Sequence, residues 1–103
     1  MNKAFKAPEE VECPELVEGT FFVYLLECSD KSIYCGSTFN LKNRLKEHMS
    51  GEAAVWTNMR RPIKLVYFET YNSLVLARRR EKQIKGWTAE KKKKLINGIW
   101  KKQ

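Results

Sequence analysis

Among the side chains of this 103-residue chain that can move protons or hold charge, five stand out by their spacing: Tyr24, Tyr34, Arg44, His48 and Glu81. Tyrosine and histidine exchange protons, and arginine offers a fork of donors to an oxyanion. His48 is the only imidazole in the chain. Arg44 and His48 are four residues apart, so on a helix one stands above the other. Tyr24 and Tyr34 fall in two apolar runs split by the turn formers at 29–32, the pattern of a β-hairpin. If the hairpin shows both phenols on one side, the helix that follows can bring a guanidinium and an imidazole to the same patch. Taken singly, each residue has a plainer account. The tyrosines fit as core aromatics with satisfied hydroxyls, and Arg44 and His48 as a solvated helix edge. It is their joint arrangement that favours a site.

These residues need particular elements to position them. In the run at 21–28, Phe22, Tyr24 and Leu26 alternate with Phe21, Val23 and Leu25, so both faces are apolar, as in a central strand covered on both sides. On the second strand Tyr34 and Gly36 share a face, and the missing side chain at Gly36 suits close approach of a large ligand. Asn40 is an N-cap and Gly51 a C-terminal stop for a first helix whose buried stripe is Leu41, Leu45 and Met49. Residues 52–62 read as a loop or an irregular helical turn. There Trp56, Thr57, Arg60 and Arg61 interleave cations with an aromatic, which suits gripping phosphates and stacking on a base. Equally, Trp56 could cap the core.

Residues 63–70 alternate as a third strand. Asn72 or Ser73 caps a second helix running to about residue 85, and Thr88 caps a third running to about residue 97. On the second helix Glu81 shares a stripe with Leu74, Ala77 and Ile84 and therefore points inward. A carboxylate there is costly unless it pairs with a cationic side chain or holds a metal. Both remain open. The four lysines at 91–94 cannot all face one way and read as mostly solvated surface, with some phosphate contact.

The length suits one domain with one core. Hydrophobic content of 43% and aromatic content of 12% exclude a disordered chain. No apolar run approaches the roughly 18 residues of a membrane span, and the start lacks a signal-peptide pattern. A soluble, cytoplasmic monomer is expected. The three cysteines have no metal-ligand spacing, so free thiols are expected. Net charge is +8, but residues 1–20 hold two lysines against five glutamates. The rest of the chain therefore carries +11, which points to a polyanionic partner. Residues 1–19 read as an acidic, disordered or loosely docked extension that folding can spare, residues 20–98 as the domain, and residues 99–103 as a basic tail.

The ordered set of Tyr24, Tyr34-Cys35-Gly36-Ser37-Thr38, Leu41, Arg44 and His48, followed by Arg60-Arg61-Pro62, Glu81 and Ile84-Lys85-Gly86-Trp87, resembles the GIY-YIG nuclease family. The likeness is closest to its short stand-alone bacterial members. The first name-giving glycine is replaced by Phe22, and Asn97 is not convincingly spaced to serve as the family's late asparagine. The resemblance implies an α/β (α+β) fold: a small three-stranded antiparallel sheet flanked by three helices, in the order ββαβαα. It implies a metal-dependent endonuclease acting on nucleic acid, DNA before RNA, in a structure-specific or repair-related role. By the same resemblance Tyr24, Tyr34, Arg44, His48 and Glu81 are catalytic, with Glu81 holding one Mg²⁺ or Mn²⁺. Gly36, Thr38, Trp56, Thr57, Arg60, Arg61 and Lys85 are the expected substrate contacts. The competing class is a non-catalytic DNA- or RNA-binding module on the same fold.

Overall fold

The middle strand of the fold is β1 (Phe21–Glu27), which pairs antiparallel with β2 (Ile33–Thr38) on one side and β3 (Lys64–Tyr71) on the other. The structure is a computed structural model that describes residues 9–52 and 55–98. In chain order, β1 and β2 are followed by α1 (Leu41–Ser50), a one-turn α2 (Val55–Asn58), β3, α3 (Leu74–Lys85) and α4 (Ala89–Ile96). This is the expected α+β arrangement, with the segment before β3 supplying one short turn of helix. None of the described helices is long and apolar enough to cross a membrane.

Alternation along β1 feeds two cores. Phe22, Tyr24 and Leu26 pack with Leu41, Leu45, Ile63 and Leu65 on the α1 side. Val23 and Leu25 pack with Ile33, Cys35, Val66, Ala77 and Ile84 on the α3 side. Each large apolar side chain so buried contributes about 1.5–3 kcal/mol. The central strand of the sheet is thus the one whose two faces are both apolar. The cysteines are free thiols, Cys28 and Cys35 within the cores and Cys13 half-buried.

The helix caps follow local chemistry. Asn40 and Ser73 accept from the backbone N–H groups of Asn43 and Leu76, and Thr88 accepts from that of Lys91. Gly51 ends α1 at φ 87°, a left-handed conformation that favours glycine.

Some expected faces are corrected. The buried stripe of α1 is Leu41, Leu45 and His48, while Met49 is 50% exposed. Positions i, i+4 and i+7 share one side, and residue 49 is turned about 100° past His48. On α3 the buried residues are Ala77 and Ile84, Glu81 is half-buried, and Leu74 in the first turn is exposed.

Residues 91–94 are all half-buried, not mostly solvated. Lys91 Nζ lies 4.5 Å from the centre of the Trp87 ring, and Lys92 Nζ donates to Ile33 O at 3.4 Å. Long lysine stems cover apolar surface while their heads reach polar groups. Part of the acidic stretch is also seated on the domain. Val11 and Cys13 pack against the α1-side core, Val11 N–H donates to Leu65 O at 2.9 Å, and Glu15 pairs with Lys42 at 2.7 Å. The expected tail 99–103, residues 1–8 and the Trp56 side chain lie outside the described residues.

Arg80 fastens α3 to β3. Its Nε and one terminal nitrogen each donate to Glu69 at 2.9 Å, and the hydroxyls of Tyr67 and Tyr71 donate to the same carboxylate. Burial pushes the Glu69 carboxyl up, but these four hydrogen bonds outweigh it and hold the group below its ordinary value.

Candidate active site

The hairpin register decides which phenols meet. Tyr24 stands opposite Gly36, and Leu26 opposite Tyr34, so both tyrosines face α1. Their ring centres are 6.3 Å apart. Across from them His48, on the buried stripe of α1, turns its edge to both rings at 5.8 and 5.1 Å between centres. Tyr24 Oη and His48 Nε2 are hydrogen-bonded at 3.0 Å, and His48 Nδ1 and Thr57 Oγ1 at 2.9 Å. Tyr24, His48 and Thr57 are fully buried. The solvated-edge account of His48 therefore does not hold.

Burial pushes the His48 imidazole down to about 4, with the Arg44 charge reinforcing the shift and Glu47 opposing it. The ring is therefore neutral near pH 7 and has one nitrogen free to accept. Burial likewise raises the Tyr24 phenol above its ordinary value; Tyr34 and Glu81 add to this, and Arg44 opposes it. A neutral imidazole in contact with that phenol can accept its hydrogen bond or donate to it, according to which ring nitrogen carries the proton. Arg44 itself is half-exposed and paired with Glu47 at 3.0 Å.

Glu81 approaches from the other side of the sheet. Ser37, opposite Val23 in the register, faces α3 and donates to Glu81 Oε1 at 2.5 Å. Lys85 Nζ lies 2.8 Å from Glu81 Oε2. The five expected catalytic side chains therefore straddle the edge strand β2, with the phenols, Arg44 and His48 on one side and Glu81 on the other. The Glu81 charge still reaches Tyr24, where it adds slightly to the rise caused by burial. Burial raises the Glu81 carboxyl, but hydrogen bonds from Lys85 and Ser37 and the charges of Lys85 and Arg78 bring it below its ordinary value.

The Glu81 side chain is ionised and 20% exposed. No cluster of three acidic, histidine or cysteine side chains exists among the described residues. This donor set fits a hard divalent ion such as Mg²⁺, which binds through one or two carboxylates and keeps several waters. It does not fit a zinc centre, which needs three or four protein ligands.

The expected substrate contacts divide. Lys85 stands at the site, against Glu81. Gly36 is buried beneath Tyr24, so the room left by its missing side chain is taken by the phenol and not by a ligand. Thr38 Oγ1 accepts from Asn40 N–H at the start of α1. Thr57 is buried against His48. Arg60 pairs with Asp30 at the hairpin turn, and Arg61 donates to Met49 O and Asn58 O, tying the end of α1 to α2. Sequence reasoning missed Ser37, whose role depends on the register that turns it toward α3. It also missed Arg78 and Lys82, exposed at i and i+4 on the side of α3 that carries Lys85.

Residues 20–94 match the family model described as the GIY-YIG catalytic domain. A UPF0213 protein of Syntrophus aciditrophicus is 49% identical over 76 residues, which span 73% of this chain and 87% of that protein. A UPF0213 protein of Haloquadratum walsbyi is 45% identical over 74 residues, spanning 72% and 83%. The solution NMR structure of a UPF0213 protein from Bacillus halodurans superposes with a TM-score of 0.51 at 37% identity, covering 76% of this chain and 83% of that one. The buried phenol–imidazole pair and the carboxylate across β2 thus lie inside the matched region, and the chain belongs to the GIY-YIG catalytic-domain family, part of the nuclease superfamily.

Proposed function

We propose that this protein is a divalent-metal-dependent endonuclease that hydrolyses phosphodiester bonds in DNA. One observation carries this reading: a phenol and a neutral imidazole are hydrogen-bonded at 3.0 Å beside Arg44 and one strand away from an ionised carboxylate. Hydrolysis needs a deprotonated water, stabilisation of the charge on the non-bridging oxygens and neutralisation of the leaving 3′ oxygen. Tyr24 gives its proton to His48 Nε2 and then, as the phenolate, takes the proton of the attacking water. Arg44 favours the phenolate and, once turned from Glu47, holds a non-bridging oxygen with its fork. That ion pair is half-exposed and costs little to give up. Glu81 would hold Mg²⁺ or Mn²⁺, which supplies positive charge to the scissile phosphate and the leaving oxygen. Ser37 fixes one carboxylate oxygen, and Lys85 pairs with the other. Arg78, Lys82 and Lys85 form a basic stripe beside Glu81 that suits the phosphate backbone.

The test is nicking of supercoiled plasmid with Mg²⁺, Mn²⁺ or EDTA, using wild type and Glu81→Gln. Nicking is expected from the wild type and only with metal. Glu81→Gln should fold and bind DNA yet not cut. Binding without nicking in either metal would make the protein a binding module, and full activity in Glu81→Gln would remove the carboxylate from the chemistry.

A further inference from the structure

We infer that Thr57 is a positioning residue: its hydroxyl accepts the Nδ1–H of His48 and so leaves Nε2 as the nitrogen that takes the Tyr24 proton. The inference rests on the nuclease reading above and adds a residue to it. A neutral imidazole carries one N–H and one lone-pair nitrogen, and here both nitrogens face hydroxyls, at 3.0 Å from Tyr24 and 2.9 Å from Thr57. Either hydroxyl can give or accept, so two arrangements are possible. The phenol titrates near 10 in water, and an aliphatic hydroxyl does not titrate there at all. Tyr24 is accordingly the stronger donor. The favoured arrangement has Tyr24 O–H donating to Nε2 and Nδ1–H donating to Thr57.

When the proton crosses, the Tyr24 O–H bond breaks, the Nε2–H bond forms, and the electron pair stays on the phenolate oxygen. The ring then has two N–H groups to satisfy. Thr57 already accepts one and the phenolate the other, so no group has to turn. Tyr24, His48 and Thr57 are fully buried, and an unmet N–H there is costly. The one-turn helix α2 thereby acquires a purpose. It presents this hydroxyl to α1, and its end is fixed by Arg60 N–H donating to Thr57 O at 3.0 Å and by Arg61 bridging Asn58 O and Met49 O.

His48 is the only histidine, so protein labelled with ¹⁵N-histidine gives one pair of ring nitrogens to assign. At pH 7 the wild type should carry its proton on Nδ1. Thr57→Val keeps the shape and removes the acceptor; it should shift the ring toward the Nε2–H form and lower kcat about ten- to a hundredfold, with KM unchanged. Thr57→Ser should restore both the tautomer and the rate. An Nε2–H ring in a wild-type protein that nicks plasmid would overturn this inference alone, and so would Thr57→Val with an unchanged rate. The predicted tautomer, lost in Thr57→Val, in a protein that cuts no DNA would overturn the nuclease reading and uphold the hydrogen-bond assignment.

Discussion

The phenol of Tyr24 fills the space above Gly36: a Cβ at residue 36 would stand 2.4 Å from Tyr24 Oη and 2.6 Å from its Cζ. What glycine supplies here is clearance for the group that meets His48. Gly36→Ala must push the ring aside, and Tyr24 is fully buried with little room to move. It should cost about 1–3 kcal/mol in urea unfolding, as overpacking does, and reduce plasmid nicking by stretching the Tyr24–His48 bond. Gly86→Ala is the control, because a Cβ there meets nothing nearer than Gln83 O at 3.5 Å and the backbone φ is −82°. It should leave stability unchanged or slightly raised. Equal behaviour of the two variants would refute the clearance role.

The buried imidazole also predicts how stability follows pH. His48 is pushed down to about 4 when folded, against an ordinary value near 6.5 for the unfolded chain. Between these values the unfolded state binds the extra proton, so stability must fall as pH drops from about 6.5 toward 4. The stabilising contribution is complete above about pH 6.5 and lost at the low end of that window, on the order of 3 kcal/mol for one proton. Urea midpoints measured from pH 7.5 to 4.5 check this. His48→Gln should lose this fall, so that the difference between its curve and that of the wild type changes with pH across this window. A wild-type curve parallel to that variant's would mean His48 titrates normally.

Much of the frame was legible because the signals that specify it are local. Asn40, Gly51 and Thr88 cap helices through bonds to their own neighbours, and the double apolar alternation at 21–26 marks a strand with two cores. The errors lie where a residue's role depends on a distant partner. Met49 is more apolar than His48, yet His48 is buried, because two hydroxyls satisfy its nitrogens. Gly36 looked open to a ligand because nothing along the chain reveals that Tyr24 lies over it. The lysines at 91–94 looked solvated because Lys91 meets the Trp87 ring, and Lys92 the Ile33 carbonyl, only once α4 is in place. Glu81 was expected on the buried stripe of its helix, but it is half-buried, and its seat between Ser37 and Lys85 needed the register of β2.

Val11 and Cys13 show how an aperiodic stretch can still matter. Isolated apolar residues carry no helical or strand period, yet these two dock on the α1-side core with one backbone bond to Leu65. Val11→Asp should lower stability by about 1–2 kcal/mol, a typical cost for a polar group placed against apolar contacts. Glu15→Gln should change it by less than about 1 kcal/mol, since its pair with Lys42 is exposed. A thermal melt of each separates them. If Val11→Asp melts with the wild type, this part of the stretch rests on the domain without stabilising it.

The two groups of cations should separate in their salt dependence. Arg78 and Lys82 are exposed at i and i+4 on the side of α3 next to Glu81, so their charges are available to phosphates. Lys91 and Lys92 are half-buried, one over the Trp87 ring and one on Ile33 O, so their charges also serve packing. Each phosphate neutralised contributes about 0.9 to the slope of log affinity against log salt for B-form DNA. Arg78→Gln with Lys82→Gln should therefore shallow the slope by about 2 and weaken binding to two unrelated duplexes equally, with the melting temperature unchanged. Lys91→Gln with Lys92→Gln should instead lower stability by about 1 kcal/mol through the lost cation–π and carbonyl contacts, and change the slope less. Fluorescence anisotropy titrations at four salt concentrations, each paired with a melt, read both quantities. A slope lost with Lys91 and Lys92 but kept without Arg78 and Lys82 would move the phosphate track from α3 to α4, and with it the path by which a strand reaches Glu81.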